Sequence, residues 1–538
     1  MPLIPLSDHP QDAEDTAEIC VIGAGIAGLL LARRLASRGR RVVVLESGGA
    51  TLEPTAQALN EIDNPSGAYT RALTGRYRAL GGSSVKWGGR MLPISRHEVS
   101  ARDYLSLPGW PVDRSELDAY LPEIEKLFGI GPSSYEADLL DTVDRDGRFP
   151  RDDGNLTSRF AKCPSFRRSN VATLLARDIG DLSSLRIWLD ATVCGFQLDR
   201  VAGRLLSVDA RSRAGRTLTV RADRFVFAAG TIETTRLLLW LDALSEHRAF
   251  ADCQVLGRYF QDHLKVKVAE ISRGDWLGTN RLFAYRFLES SRRDLHLETT
   301  AAAQREDGAA SAFAYVTMAL SQSPLGIVKK IVQDVQKRDM EPRDWASLGR
   351  HVPFLARSAY WRWVRRQLLV PRHVGFDLQV WIEQLPDWSN QIRLSESRDS
   401  LAMPKVLLDW RPREADERTF RFAIARIEAY WARAGFDRTC PLSWTPAACD
   451  ASRPIAPLAE ACAHPSGTTR MGTDPRESVV APDLACHAIP NLSIASASTF
   501  PTAGSANPTL TIMALALRLA DHLMARHPEA TPRATISA

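Results

Sequence analysis

Residues 18–46 constrain the fold more than any other stretch of this chain. A short apolar run at 18–22 meets Gly23-Ala24-Gly25-Ile26-Ala27-Gly28, continues as a helix-like segment to Arg38, and reaches a buried-strand run at 41–45 that ends on Glu46. That order predicts strand, glycine turn, helix and strand. Gly23 permits the tight turn, Gly25 lets the backbone approach a pyrophosphate at the helix N-terminus, and Gly28 lets the helix lie close to the sheet. Glu46 stands eighteen residues after Gly28, where a carboxylate accepts hydrogen bonds from a ribose diol and repels a 2′-phosphate. An isolated GxGxxG is also met as a plain glycine-rich turn, but the flanking strands and Glu46 favour dinucleotide binding. The motif does not separate NAD from FAD.

A second glycine cluster, Gly81-Gly82-Ser83-Ser84-Val85-Lys86-Trp87-Gly88-Gly89, reads either as a backbone that closely approaches a ligand or as an ordinary turn. Residues 224–229, Gly230 and a helix-like run at 233–241 repeat the strand, glycine turn, helix order, so the nucleotide unit is discontinuous. A final helix at 508–524 is expected to close it. From 264 to 410 the pattern changes to alternating strands, such as 264–268 and 374–383, which predicts a largely antiparallel sheet in a second domain. Residues 321–372 interrupt it with helical periodicity: Ile327, Val328, Ile331, Val332 and Val335 form one apolar face, and eleven Lys/Arg stand against four Asp/Glu. Its aromatic run, Tyr360, Trp361 and Trp363, adds interfacial character.

The 538 residues allow two to four domains, and 45% hydrophobic with 24% charged residues is a globular composition. A net charge of +5 is too dilute for a nucleic-acid footprint. The eight cysteines are scattered without CxxC pairs or Cys/His metal spacing, so no metal is expected and the thiols read as reduced and non-catalytic. Residues 1–16 are polar, and no window reaches the roughly 18 apolar residues that span a bilayer. A cytoplasmic location is the expectation.

The C-terminal third carries further ordered motifs: His464-Pro465-Ser466-Gly467-Thr468-Thr469-Arg470-Met471-Gly472, then Asn491-Leu492 entering a strand, Phe500-Pro501-Thr502, and Asn507-Pro508-Thr509-Leu510-Thr511-Ile512-Met513-Ala514. With the N-terminal fingerprint and the Gly-Gly-Ser-Ser cluster, the chain resembles the glucose-methanol-choline (GMC) oxidoreductases, which bind FAD and oxidise alcohols. The resemblance also covers residues 224–239, 257–263 and 383–394. The Trp-Gly-Gly after the cluster resembles bacterial sugar-oxidising, pyranose-oxidase-like members.

This resemblance implies an α/β and α+β fold: a Rossmann-type FAD domain from residues 17–95, 190–263 and 455–526, and a substrate domain on a largely antiparallel sheet from 96–189 and 264–454, with the basic insert at 321–372. It implies His464 as catalytic base and Asn507 as the second catalytic group. A neutral imidazole suits removal of a hydroxyl proton, and an amide suits an alkoxide oxygen. Asn507 before Pro508 is equally a helix N-cap combination. Implied cofactor contacts are Gly23, Gly25, Ile26, Ala27 and Gly28; Glu46, Ser47 and Arg78; Gly81, Gly82, Ser83, Ser84, Lys86, Trp87, Gly88 and Gly89; Val193, Ala229 and Gly230; and Ser496, Pro508 and Thr509. Gln379 and Trp381 are candidate substrate contacts. Lys86 stands where some relatives attach FAD through histidine, which implies non-covalent FAD, and Ser496 stands where the family usually has Asp. The favoured substrate is a sugar or glycoside, with a lipophilic or natural-product alcohol as alternative and a non-redox, FAD-containing lyase as the rival class. Oxygen or another acceptor would take the electrons. The insert reads as a lid in preference to a surface for docking a membrane or redox partner.

Overall fold

The computed structural model describes residues 3–144, 146–151, 153–199, 201–320, 323–326 and 352–525. Two large sheets organise it. The first has eight strands, in the order Leu3–Pro5, Leu185–Leu189, Val42–Leu45, Ala13–Ile22, Thr217–Phe227, Arg204–Arg211 and Thr192–Asp199, with Leu492–Ile494 also paired to Thr217–Phe227. The pairs among its central strands are parallel. Val42–Leu45 is Val-Val-Val-Leu with every residue buried, the unbroken apolar run that a strand covered on both faces requires. The Ile26–Ala36 helix packs against the Thr509–Ala525 helix beside this sheet. Gly28 makes the close approach possible, since a Cβ there would stand 1.9 Å from the Gly23 carbonyl oxygen.

The second sheet is antiparallel throughout, in the order Arg286–Leu288, Ser291–Thr299, Ala312–Met318, Phe376–Ile382, Leu264–Ile271 and Leu442–Trp444, with Leu156–Cys163 and Glu460–Ala461 paired to it. Alternation along Phe376–Ile382 sends Phe376, Leu378, Val380 and Ile382 into a core with Trp410 and Trp431. Trp381 joins Phe313 and Tyr315 in a separate aromatic cluster. The Glu414–Arg433 helix packs against this sheet. A three-stranded sheet of Gln391–Arg398, Pro404–Asp409 and Ile62–Asp63 completes the β-structure.

The architecture is the expected mixed α/β arrangement, but two segments sit differently from the sequence boundaries. Leu185–Leu189 pairs with Val42–Leu45 in the first sheet, and Glu460–Ala461 pairs with Leu264–Ile271 in the second. These pairings, which sequence pattern does not report across such distances, put each segment in the other sheet from the one that boundaries at 189 and 455 assign it to. The apolar face Ile327, Val328, Ile331, Val332 and Val335 lies outside the described residues. From the same insert, the Val352–Trp363 helix buries Trp361 and leaves Tyr360 and Trp363 exposed. Among the described residues no helix is long and apolar enough to cross a membrane.

Candidate active site

Where the first sheet meets the Ile26–Ala36 helix, a cavity of about 240 Å³ runs from the glycine turn to His464. Gly23, Gly25, Ile26 and Ala27 line its start. A Cβ on Gly25 would meet nothing within 4 Å, so the space over this helix N-terminus is open to a ligand, whereas Gly28 faces the sheet. Glu46 lines the same end, and its two carboxylate oxygens accept from the backbone N–H groups of Ala24 and Gly48, at 2.8 and 2.9 Å. Burial pushes its carboxyl up to about 7, against the pull of those two donors and of Arg78.

Ser47, Arg78, Val193, Ala229 and Gly230 also line the cavity. Arg78 is buried and held by four contacts: it donates to Asn60 Oδ1, Ser47 Oγ and the Leu59 carbonyl, and pairs with Glu233 at 2.8 Å. Burial opposes ionisation of Glu233, yet Arg236, Arg78 and Arg76 hold its carboxyl down to about 2. Asn60, Arg76, Tyr77 and Glu233 line this wall without any motif in the sequence to mark them. Glu233 is in the first turn of the Gly230–Leu244 helix, and only the fold turns it towards Arg78.

The second glycine cluster stacks on the first. Gly82 has φ +54°, and a Cβ there would lie 2.8 Å from Gly25 Cα. Gly82 and Ser83 line the cavity. The rest of the cluster stands behind it: the Gly81 N–H bonds the Ala24 carbonyl, Ser84 Oγ bonds the Gly81 carbonyl, and Trp87 Nε1 donates to the Ser169 carbonyl. Lys86 holds its ammonium 5.5 Å from the Tyr77 ring centroid, and Gly89 turns at φ +70° beside Pro164. Gly28, Gly81, Ser84, Lys86, Trp87, Gly88 and Gly89 are therefore not brought to the cavity wall, and the first four of these shape or back the turns that are.

At the other end, His464 lines the cavity with Ala463, Pro465, Ser496, Pro508 and Thr509. The backbone N–H of His464 donates to Asp262 Oδ1 at 2.8 Å, and Tyr69 donates to Asp262 Oδ2 at 3.0 Å. His464 Nδ1 is 2.9 Å from His263 Nδ1, with the rings edge to face at 87°. Burial, then the neighbouring His263 and Arg90, hold the His464 imidazole well below its ordinary pKa, so the ring is neutral at physiological pH. The Trp381 ring lies 6.3 Å from it. Arg90, which motif reading did not single out, places its guanidinium 4.2 Å from the Tyr315 ring centroid and 5.8 Å from that of Trp381.

Asn507 is buried, and its Oδ1 has no hydrogen-bond partner among the described residues. It therefore does not cap the Thr509–Ala525 helix through that oxygen. A buried amide oxygen without a protein partner is where an external donor fits. Ser496 lines the cavity and spends its hydroxyl on the Ser498 turn. Gln379 accepts from Trp381 Nε1 at 3.2 Å but lies on a separate, open groove with Lys265 and Lys267. Among the described residues no three His, Cys, Asp or Glu side chains cluster as a metal site, and all eight cysteines are unpaired. The open glycine turn and the buried Glu46 carboxyl beside it fit a bound dinucleotide, whereas Asn507 is not among the residues that line the cavity.

Residues 386–516 match the family model for GMC oxidoreductase, and residues 21–51 match that for an NAD(P)-binding Rossmann-like domain. Through these segments the chain is similar to the GMC oxidoreductases. Relatives include 2-methyl-1,2-propanediol dehydrogenase of Mycolicibacterium austroafricanum, 24% identical with 97% of both chains covered. Another is paromamine 6′-oxidase of Streptomyces fradiae, 24% identical over 97% of this chain and 96% of that one. Among solved structures, pyridoxine 4-oxidase from Mesorbium loti shares the fold, with TM-score 0.56 and 17% identity over 95% of this chain and 100% of the other. The protein is an FAD-dependent flavoprotein oxidoreductase that acts on CH–OH donors.

Proposed function

We propose that this protein oxidises a carbinol of a sugar or glycoside, with His464 as the base and Asn507 as the group that holds the alcohol oxygen. One observation carries this reading: the cavity that begins at Gly25 and Glu46 ends on a neutral imidazole, His464, whose Nε2 has no hydrogen-bond partner among the described residues. Bound FAD supplies the hydride acceptor. His464 takes the hydroxyl proton at Nε2 as the carbinol carbon gives up its hydrogen with the bonding pair, and the Asn507 amide N–H donates to the oxygen as negative charge develops there. Support for a sugar comes from the aminoglycoside named for the Streptomyces fradiae relative and from the aromatic cluster of Phe313, Tyr315 and Trp381 beside His464, since aromatic faces stack on the C–H faces of sugars. The diol named for the Mycolicibacterium relative supports a small branched diol as the second reading.

The test is anaerobic mixing of the purified protein with glycosides, free sugars and 2-methyl-1,2-propanediol. Bleaching of the flavin by the first two groups and not by the diol is the expected result. Bleaching by the diol alone would transfer the assignment to the second reading.

FAD is held without a covalent bond in this account, because lysine cannot form the imidazole link that some relatives use and Lys86 rests against Tyr77. Acid precipitation is expected to release the flavin into the supernatant, and flavin retained in the pellet contradicts this. Glu46 adds a pH dependence. Its carboxyl titrates at about 7 in the cavity, and ribose hydroxyls donate to the carboxylate, so binding expels a proton from the protonated form. Affinity is therefore full above that pH and falls as pH drops through it, by up to about tenfold per pH unit. Glu46→Gln should bind FAD more weakly and lose the dependence. A wild-type affinity that stays flat from alkaline to mildly acidic pH separates Glu46 from the ribose.

A further inference from the structure

We propose that His263 is a positioning residue that fixes the tautomer of His464, so that the bare lone pair of the His464 imidazole is on Nε2. The inference deepens the reading of His464 as base and rests on it. It follows from which atoms are able to donate. His263 Nε2 lies 2.7 Å from the Gly504 carbonyl oxygen. A carbonyl oxygen only accepts, so His263 Nε2 carries hydrogen. His263 is buried, and burial lowers its pKa, which keeps the ring neutral. A neutral imidazole with hydrogen on Nε2 has none on Nδ1, which therefore accepts. The only donor this leaves for the 2.9 Å contact is His464 Nδ1–H, and a neutral His464 with hydrogen on Nδ1 has a bare Nε2. The opposite assignment would set the His263 Nε2 lone pair against the carbonyl lone pairs at 2.7 Å.

The carbonyl that starts this chain is itself held. The Gly504 N–H donates to Glu383 Oε1 at 3.0 Å, and the next N–H, of Ser505, donates to Glu98. Glu383 is clamped by Arg102 through two contacts of 2.6 and 2.7 Å. When His464 accepts a proton, one O–H bond breaks and one Nε2–H bond forms, and the proton stays on His464. The His464 Nδ1–H to His263 Nδ1 bond then becomes charge-assisted, which stabilises the imidazolium where burial disfavours it. Without the acceptor on His263, a neutral histidine side chain carries its hydrogen mostly on Nε2, and His464 would face the alcohol as a donor.

The test is 15N NMR of the histidine-labelled holoprotein, with the His464 signals identified by their loss in His464→Gln. We expect wild-type Nδ1 of His464 to be protonated and Nε2 bare. His263→Leu should move the hydrogen to Nε2 and slow anaerobic flavin reduction, by a sugar or diol that bleaches the wild type, by about 10²- to 10⁴-fold. His263→Asn, whose Oδ1 stands near the place of Nδ1, should restore the tautomer and most of the rate. A wild-type His464 with hydrogen on Nε2 overturns the proposal whether or not the variants fold. So does a His263→Leu protein with wild-type tautomer and rate. If that variant is fast while His464→Ala is slow, only the role of His263 falls. If His464→Ala is fast, the assignment of the base falls with it.

Discussion

His464→Ala is expected to fold, to retain FAD and to reduce its flavin with an alcohol substrate about 10²- to 10⁴-fold more slowly than wild type, a barrier increase of ~2.7 to 5.5 kcal/mol. The expectation that it folds rests on how the segment is held: the backbone N–H groups of Cys462 and His464 bond Asp262, and neither bond needs the imidazole. Asn507→Ala should slow the same step. If both side chains act on one developing alkoxide, the losses in the double variant will not add, because each is effective only while the other holds the oxygen. Stopped-flow reduction under anaerobic conditions measures this, and a His464→Ala enzyme that reduces its flavin at the wild-type rate removes His464 from the chemistry.

The second large effect is on stability and concerns Glu383. Its side chain is buried against an equally buried Arg102, and it also receives the Gly504 N–H. Glu383→Ala leaves the guanidinium without its counter-ion in a site that water does not reach. Breaking such a pair from one side costs about 3 to 5 kcal/mol, most of it from the stranded charge. A lower urea midpoint for unfolding checks the expectation. The paired change Glu383→Leu with Arg102→Met should recover part of the loss, since it strands no charge and leaves only the Gly504 and Ser311 N–H groups without their acceptor. If Glu383→Ala unfolds at the wild-type midpoint, the pair contributes little.

The legible parts of this molecule were those that need only local sequence. The strand, glycine turn, helix, strand order of residues 18–46 could be read directly because each glycine meets its constraint within the turn or against the adjacent sheet, as Gly28 does against Gly23. The alternation in Phe376–Ile382 announced an antiparallel strand, and the same alternation put Gln379 and Trp381 on one face. It did not foretell that only Trp381 would reach His464, since two residues along a strand amount to about 7 Å. Arg78, Asn60 and Glu233 meet through a chain separation of more than 150 residues between Arg78 and Glu233, which no local pattern records. For the same reason the partnership of His263 with His464, 201 residues apart, was invisible until the rings were seen together. Asn507 supported two readings of one dipeptide, and its unpartnered oxygen decides against the helix cap.

The central claim is that a carbinol hydrogen leaves as hydride while His464 removes the hydroxyl proton. The most direct measurement is anaerobic flavin reduction by a glycoside carrying deuterium at the oxidised carbon. The account predicts that the flavin bleaches without oxygen and bleaches several-fold more slowly with the deuterated alcohol. An alcohol that is consumed while the flavin stays oxidised, with no isotope effect at that carbon, would contradict it.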